Sequence, residues 1–233
     1  MRRPFPPPGY VRRRLGDHDV VAWESVIEAV ERALAEAPTL ARWAAARAER
    51  EVAGGRGPAW RVDLGGIPAA VRHFRRGGWM GPLLGDRYFD RPPRPFAELE
   101  VSEALRAAGV PTPRVLAAAV LPTRPGYRAD LATAWITPGL DLAALLRPGL
   151  YPDEARAAAV EAAGQTVGRA HAAGLDHPDL RPRNLFLRPL DPERWEAFLL
   201  DLDRARLTGA ARAKKKTSSG SGAPSRRSAA RAA

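Results

Sequence analysis

His177-Pro178-Asp179-Leu180-Arg181-Pro182-Arg183-Asn184, followed by Leu199-Leu200-Asp201-Leu202-Asp203, is the stretch on which the reading of this chain turns. It sets an aspartate five residues before an asparagine, between a helical pattern and an apolar run. A second aspartate closes the next apolar run. Phosphoryl transfer needs a carboxylate that orients and deprotonates an acceptor hydroxyl. It also needs hard oxygen ligands for a Mg2+ that bridges the nucleotide phosphates. Asp179 suits the first task; Asn184 and Asp201 suit the second. The competing reading is a polar turn capped by Asp and Asn. The order of the upstream parts, a glycine-rich hairpin and then an acidic helix, argues against it.

Working outward, Gly54-Gly55-Arg56-Gly57-Pro58 reads as a glycine-rich turn. Two β-prone runs follow, Ala59–Leu64 and Ile67–Phe74, around Gly65-Gly66, and together they predict a hairpin. Phe96–Ala108 predicts a helix that Gly109 ends. Strands are expected at Val115–Leu121 and Leu131–Ile136, a short helix at Leu142–Leu146 and a long one from Pro152 to Ala173. The runs Leu185–Leu187 and Phe198–Leu202 bracket a turn. Nearer the N-terminus, Val20–Glu51 predicts two helices broken near Ala37-Pro38, with Thr39 capping the second. The first twenty residues, with their prolines and Arg12-Arg13-Arg14, read as an irregular arm. Ser218–Ser225 reads as a disordered linker. The order is α+β with two lobes. Residues 1–52 form an N-terminal arm and helical segment. Residues 53–208 form the main domain, with a β-rich N-lobe over about 53–136 and a helical C-lobe over about 140–208. Residues 209–233 form a disordered basic tail.

Composition narrows the classes. The chain has 233 residues, 45% hydrophobic and 27% charged, enough for one substantial domain. No run approaches the roughly 18 apolar residues of a spanning helix, and the basic, proline-rich start has no apolar segment behind it, so it is not read as a secretory signal. Without cysteine there is no disulfide, thiolate zinc site or cysteine nucleophile, which fits a reducing cytoplasm. The net charge of +11 falls to about +4 once the seven basic residues between Gly209 and Ala233 are set aside. Nucleic acid is therefore not the expected partner. All three lysines are Lys214, Lys215 and Lys216, so residues 1–208 contain none.

The loop from His177 to Asn184, with Asp201 after it, resembles the catalytic loop and metal-binding aspartate of protein kinases. A narrower likeness lies in Val71-Arg72-His73-Phe74-Arg75-Arg76-Gly77-Gly78, Leu84-Gly85-Asp86-Arg87-Tyr88, Gly109-Val110-Pro111-Thr112-Pro113-Arg114 and Leu200-Asp201-Leu202-Asp203-Arg204-Ala205-Arg206. These resemble the bacterial 3-deoxy-D-manno-octulosonic acid (Kdo) kinases of the lipopolysaccharide-kinase group, over about Gly54 to Leu207. The resemblance implies a two-lobed protein-kinase-like fold. It also implies an enzyme peripheral on the cytoplasmic side of the inner membrane, using ATP and Mg2+ to phosphorylate the 4-hydroxyl of Kdo on a lipid A precursor. Asp179 is then the catalytic base, Asn184 and Asp201 the metal ligands, and Gly55 and Gly57 part of a nucleotide-covering loop. Pro58 lacks one amide of that cradle. Arg72 stands where kinases carry the strand lysine, and can neutralise phosphates with a bidentate fork. Its helix partner is Glu98 or Glu100; Glu98 is preferred because Val101 and Leu105 share its face. His177 either holds the loop through backbone contacts or is an exposed turn residue. His73 and His171 read as packing or surface residues rather than ligands. Pro178 in place of an arginine argues against control by an activation-loop phosphate.

Arg72, Arg75, Arg76, Arg87, Arg91 and Arg94 form a basic stretch interleaved with Trp79, Tyr88 and Phe89. It suits either an anionic glycolipid and membrane face, at about 1 kcal/mol per basic residue, or ordinary solvation on a loop. After Leu207 further helices are expected from the resemblance, and a basic Ser/Gly-rich stretch follows instead. That marks a shortened lobe or an anionic-surface anchor. Two other functions stay open: a kinase for another sugar such as an inner-core heptose, and a non-catalytic pseudokinase or basic binding module.

Overall fold

The computed structural model describes residues 5–48, 50–54, 57–75, 85–191 and 193–208. β1 (Tyr10–Leu15) and β2 (His18–Trp23) form an antiparallel hairpin closed at Leu15↔His18. This corrects the irregular arm expected there. β1 buries only its end residues, Tyr10 and Leu15, and leaves Arg12, Arg13 and Arg14 outward. An edge strand of this kind shows no alternating pattern, and its arginines guard the edge against pairing with another chain. Arg12 forks onto Asp19 of β2 at 2.8 and 2.5 Å.

α1 (Ile27–Glu36) and α2 (Leu40–Arg47) follow, broken at Pro38 as expected, but the helical stretch expected over Val20–Glu51 is shorter at both ends, where residues 20–23 belong to β2 and residues 50 and 51 open the next strand. The Thr39 hydroxyl accepts from the Arg42 amide at 3.1 Å, capping α2. β3 (Arg50–Gly54), β4 (Gly57–Asp63) and β5 (Pro68–His73) are successive antiparallel strands. α3 (Arg94–Ala107) then leads to β6 (Val115–Pro122) and β7 (Tyr127–Ala134). The seven strands form one sheet in the order β1-β2-β6-β7-β5-β4-β3. β2 pairs with β6, so residues 10–47 belong to the N-lobe and residue 52 is not a domain boundary.

Period-two alternation divides the sheet's residues between two cores. Val20, Ala69, Val71, Ala117 and Ala132 pack with Val30, Leu40 and Ala44 of α1 and α2. Val21, Phe74, Ala118 and Leu131 pack with Phe96 and Leu99 of α3 on the opposite face. Arg72 and His73, adjacent in β5, are thereby sent to opposite faces: Arg72 towards α3 and His73 towards α2.

The second lobe holds β8 (Leu140–Asp141), α4 (Leu142–Leu145), α5 (Asp153–Ala172), β9 (Leu175–Asp176), β10 (Leu185–Pro189), β11 (Trp195–Leu199) and β12 (Arg206–Leu207). β11-β10-β8 and β12-β9 are two small sheets. Leu145, Ala159, Ala163, Leu187 and Leu199 form its core. The α+β, two-lobed, protein-kinase-like fold expected from the sequence is thus the one observed. The basic tail, the Ser218–Ser225 linker and the lysines lie outside the described residues.

Gly126 makes the β6–β7 turn at φ +87°, and a Cβ there would fall 2.4 Å from the carbonyl oxygen of Tyr88. That carbonyl accepts from the Tyr127 amide at 2.9 Å, tying the segment before α3 to the sheet. Gly126→Ala must bear the left-handed penalty of about 1–2 kcal/mol and also displace this bridge. Urea unfolding is expected to show a loss of at least about 2 kcal/mol.

Candidate active site

Asp179 lies in the turn after β9, and Asn184 ends a 3-10 turn over Pro182–Asn184. Asp201 lies two residues beyond β11. A closed circuit of hydrogen bonds brings them together. The Asp179 amide donates to Nδ1 of His177 at 3.3 Å, and the Asn184 side-chain amide donates to the Asp179 carbonyl at 2.9 Å. The Leu200 amide donates to the Asn184 carbonyl at 2.9 Å, and Nε2 of His177 donates to the Leu200 carbonyl at 3.5 Å. Those roles assign His177 the Nε2–H tautomer. His177 is buried and holds the loop through backbone contacts, the first of its two readings. The circuit uses main-chain groups and the Asn184 nitrogen, so the Asn184 side-chain oxygen and the Asp201 carboxylate stay outside it.

Asp201 has φ +53° and stands alone among the described non-glycine residues in the left-handed region. Such a conformation persists only where the surroundings impose it. Its Oδ1 lies 3.7 Å from the Arg72 guanidinium. Arg72 also donates from Nη2 to both Glu98 oxygens at 2.7 and 2.6 Å and stacks over Phe74 at 4.6 Å. Glu98 is 5% exposed, whereas Glu100 is exposed. Of the two expected partners, Arg72 therefore takes Glu98. Burial pushes the Glu98 carboxyl up to about 7; Arg72 opposes the rise, and Asp201 and Asp203 add to it. Burial also weakens the Arg72 cation, but Glu98 and Asp201 outweigh it and hold the guanidinium above its ordinary value.

Gly57 begins β4 opposite Gly54 in the β3–β4 hairpin, and Pro58 pairs with Ala53. Gly55 lies outside the described residues, as do Arg76 and Trp79. Of the basic stretch, Arg75, Arg87 and Arg91 are exposed. Arg72 and Arg94 are committed to internal ion pairs.

Oxygen donors from Asp201 and Asn184 fit a hard cation such as Mg2+, which takes one or two protein carboxyl or amide oxygens and completes its octahedron with phosphates and water. No three His, Cys, Asp or Glu residues gather into a self-sufficient cage among the described residues.

Sequence reasoning missed three partners. Arg181 forms an ion pair with Asp179, and the two-residue spacing in Asp179-Leu180-Arg181 could have pointed to it. Arg94 donates to Asp203 at 3.0 Å, across a separation that no local pattern reveals. His73, on the opposite sheet face, lies between Asp130 at 2.6 Å and Asp86 at 3.0 Å. Asp130 also accepts from the Ala41 amide in the first turn of α2 at 2.8 Å, and Asp86 from Arg128 at 2.8 Å. His171 is exposed, as read.

A family model described as "Lipopolysaccharide kinase (Kdo/WaaP) family" matches residues 40–218. A protein of Actinobacillus succinogenes named 3-deoxy-D-manno-octulosonic acid kinase is 37% identical over 157 residues, covering 64% of this chain and 63% of the relative. One of the same name from Vibrio vulnificus is 35% identical over 147 residues, covering 60% and 61%. The match thus spans just over three fifths of these relatives' length. A solved structure, "WaaP in complex with acyl carrier protein", aligns at 22% identity with a TM-score of 0.49, covering 72% of this chain and 66% of that one.

Burial pushes the His73 imidazole down, but Asp130 and Asp86 more than reverse this and raise it above its ordinary value. A raised folded-state value means that the stabilisation is complete below the unfolded value of about 6.5 and is lost as pH rises through the folded one. The wild-type melting temperature is therefore expected to fall with rising pH in that window. In His73→Gln this component of the slope is expected to vanish, as thermal scans across the window would show.

Proposed function

The chain belongs to the lipopolysaccharide kinase (Kdo/WaaP) family, and we propose that it phosphorylates the 4-hydroxyl of a Kdo sugar on a lipid A precursor. ATP is the donor in this reading, with Mg2+ as the accompanying ion. The observation that carries the proposal is the hydrogen-bonded circuit joining His177, Asp179, Asn184 and Leu200. That circuit ties the loop carrying Asp179 and Asn184 to the segment leading into Asp201, whose carboxylate lies 3.7 Å from the Arg72 guanidinium.

In the proposed reaction the Asp179 carboxylate orients the sugar hydroxyl and takes its proton. The hydroxyl oxygen forms a bond to the γ-phosphorus as the bond from that phosphorus to the bridging β,γ oxygen breaks, and ADP leaves. Arg72, held by Glu98, neutralises the α- and β-phosphates, and its bidentate reach replaces a lysine's point charge. Arg181, paired with Asp179, adds a cation beside the base. Asn184 and Asp201 would hold Mg2+, which supplies charge neutralisation between the phosphates. Gly55 and Gly57 belong to the loop over the nucleotide.

A peripheral position on the cytoplasmic side of the inner membrane goes with this substrate. Arg75, Arg87 and Arg91 are exposed, as is Phe89 at 46%, and side chains of that composition suit an anionic glycolipid bilayer. No helix among the described residues is long and apolar enough to cross a membrane.

The test is incubation of the purified chain with labelled ATP, Mg2+ and a Kdo-bearing lipid A precursor. Label is expected on the sugar 4-oxygen. Asp179→Ala is expected to lose at least about 10²-fold in turnover with nucleotide binding kept. Unchanged transfer in that variant would overturn the assigned base. A folded wild type that binds nucleotide but leaves this acceptor unlabelled would point to another sugar, such as a heptose.

A further inference from the structure

We infer that Arg94 is a positioning residue for Asp201, acting through Asp203. The inference rests on the reading of Asp201 as a metal ligand. Arg94 opens α3, where a cation opposes the helix dipole and no helix-stabilising role explains it. Its contacts account for it instead. Nη1 donates to Asp203 at 3.0 Å, Nε donates to Asp90 at 2.8 Å, and the guanidinium stacks over Tyr88 at 4.7 Å. Its backbone amide donates to the Tyr127 hydroxyl at 2.9 Å. The Asp203 side chain is 6% exposed. In the protein-kinase pattern a glycine stands two residues after the metal aspartate; here that place holds a buried carboxylate, which needs a cation close by.

Arg94 and Glu98 are one helical turn apart on α3. Asp201 and Asp203 are two apart on the segment after β11. Arg72 joins the remaining ends, bonding Glu98 at 2.6 Å and lying 3.7 Å from Asp201. The result is a ring of two cations and three anions, closed through two short backbone stretches. One helix offers a cation to Asp203 and an anion to Arg72, so α3 is fastened to the metal segment and to β5 at once. Asp201, held in the left-handed conformation at φ +53°, lies between these fastenings. Releasing Arg94 frees the segment to relax towards ordinary backbone angles and carries the Asp201 carboxylate away from the metal position.

The experiment measures Mn2+ binding to the full chain by electron paramagnetic resonance, with adenylyl imidodiphosphate present. It compares wild type, Arg94→Gln, Arg94→Lys, Asp203→Asn and the Arg94→Gln/Asp203→Asn double variant. Melting curves confirm that each is folded. Arg94→Gln is expected to weaken Mn2+ about tenfold or more while nucleotide affinity in EDTA stays unchanged. Asp203→Asn should match it, Arg94→Lys should recover part of the loss, and the double variant should be no worse than either single one. Wild-type Mn2+ affinity in both Arg94→Gln and Asp203→Asn would overturn the positioning role while leaving the metal reading intact. A wild type that binds no Mn2+ with the nucleotide would instead overturn the metal reading, and the positioning role with it. Should Arg94→Gln fail to fold, Asp203→Asn, which changes one atom of a carboxylate, decides the matter alone.

Discussion

The ion pair between Arg72 and Glu98, in which one guanidinium nitrogen meets both carboxylate oxygens, is the constraint around which both lobes are arranged. Its carboxylate is buried beneath α3 and its guanidinium projects from β5. A carboxylate removed from water to this degree is unstable unless a cation reaches both oxygens. Meeting that condition fixes the distance of α3 from the sheet. Every strand that places Arg72 at the right height, and Phe74, Leu99 and Leu131 that pack beside it, serves that condition. Asp201 then approaches the same cation from the second lobe, so one guanidinium reports on the relation of three chain segments.

The second lobe meets this arrangement with main-chain chemistry. The circuit through His177, Asp179, Asn184 and Leu200 satisfies backbone groups that a loop would otherwise leave bare, and it ties the loop carrying Asp179 and Asn184 to the segment that leads into Asp201. On the other sheet face a separate cluster, His73 with Asp130, Asp86 and Arg128, ties the ends of the arginine-rich segment to the sheet and to α2. The strict alternation of β5 puts Arg72 and His73 to these two unrelated tasks.

Much of this was readable in advance, for reasons that differ by region. α1 and α2, α3, β4–β5 and α5 carry strong local signals: apolar periodicity, a proline break, glycine stops. The loop from His177 to Asn184 was readable because the chemistry needs particular residue types at a fixed spacing. β1 was not, because an edge strand buries only Tyr10 and Leu15, and its three exposed arginines mimic an irregular arm. Arg181 stands two residues from Asp179, within reach of a spacing argument.

By itself the sequence determined the residue types, the local elements and the donors grouped within short stretches, since those depend on interactions a few residues apart. It also narrowed the partner of Arg72 to two glutamates on one helix. Which glutamate is buried, which side of β5 faces α3, and that Arg94 meets Asp203 were decided only by the tertiary structure. The physical reason is common to all three: burial and ion pairing depend on distances between segments that are remote in the chain. Those distances are set by how sheet, helix and second lobe pack, and no local pattern of residues encodes them.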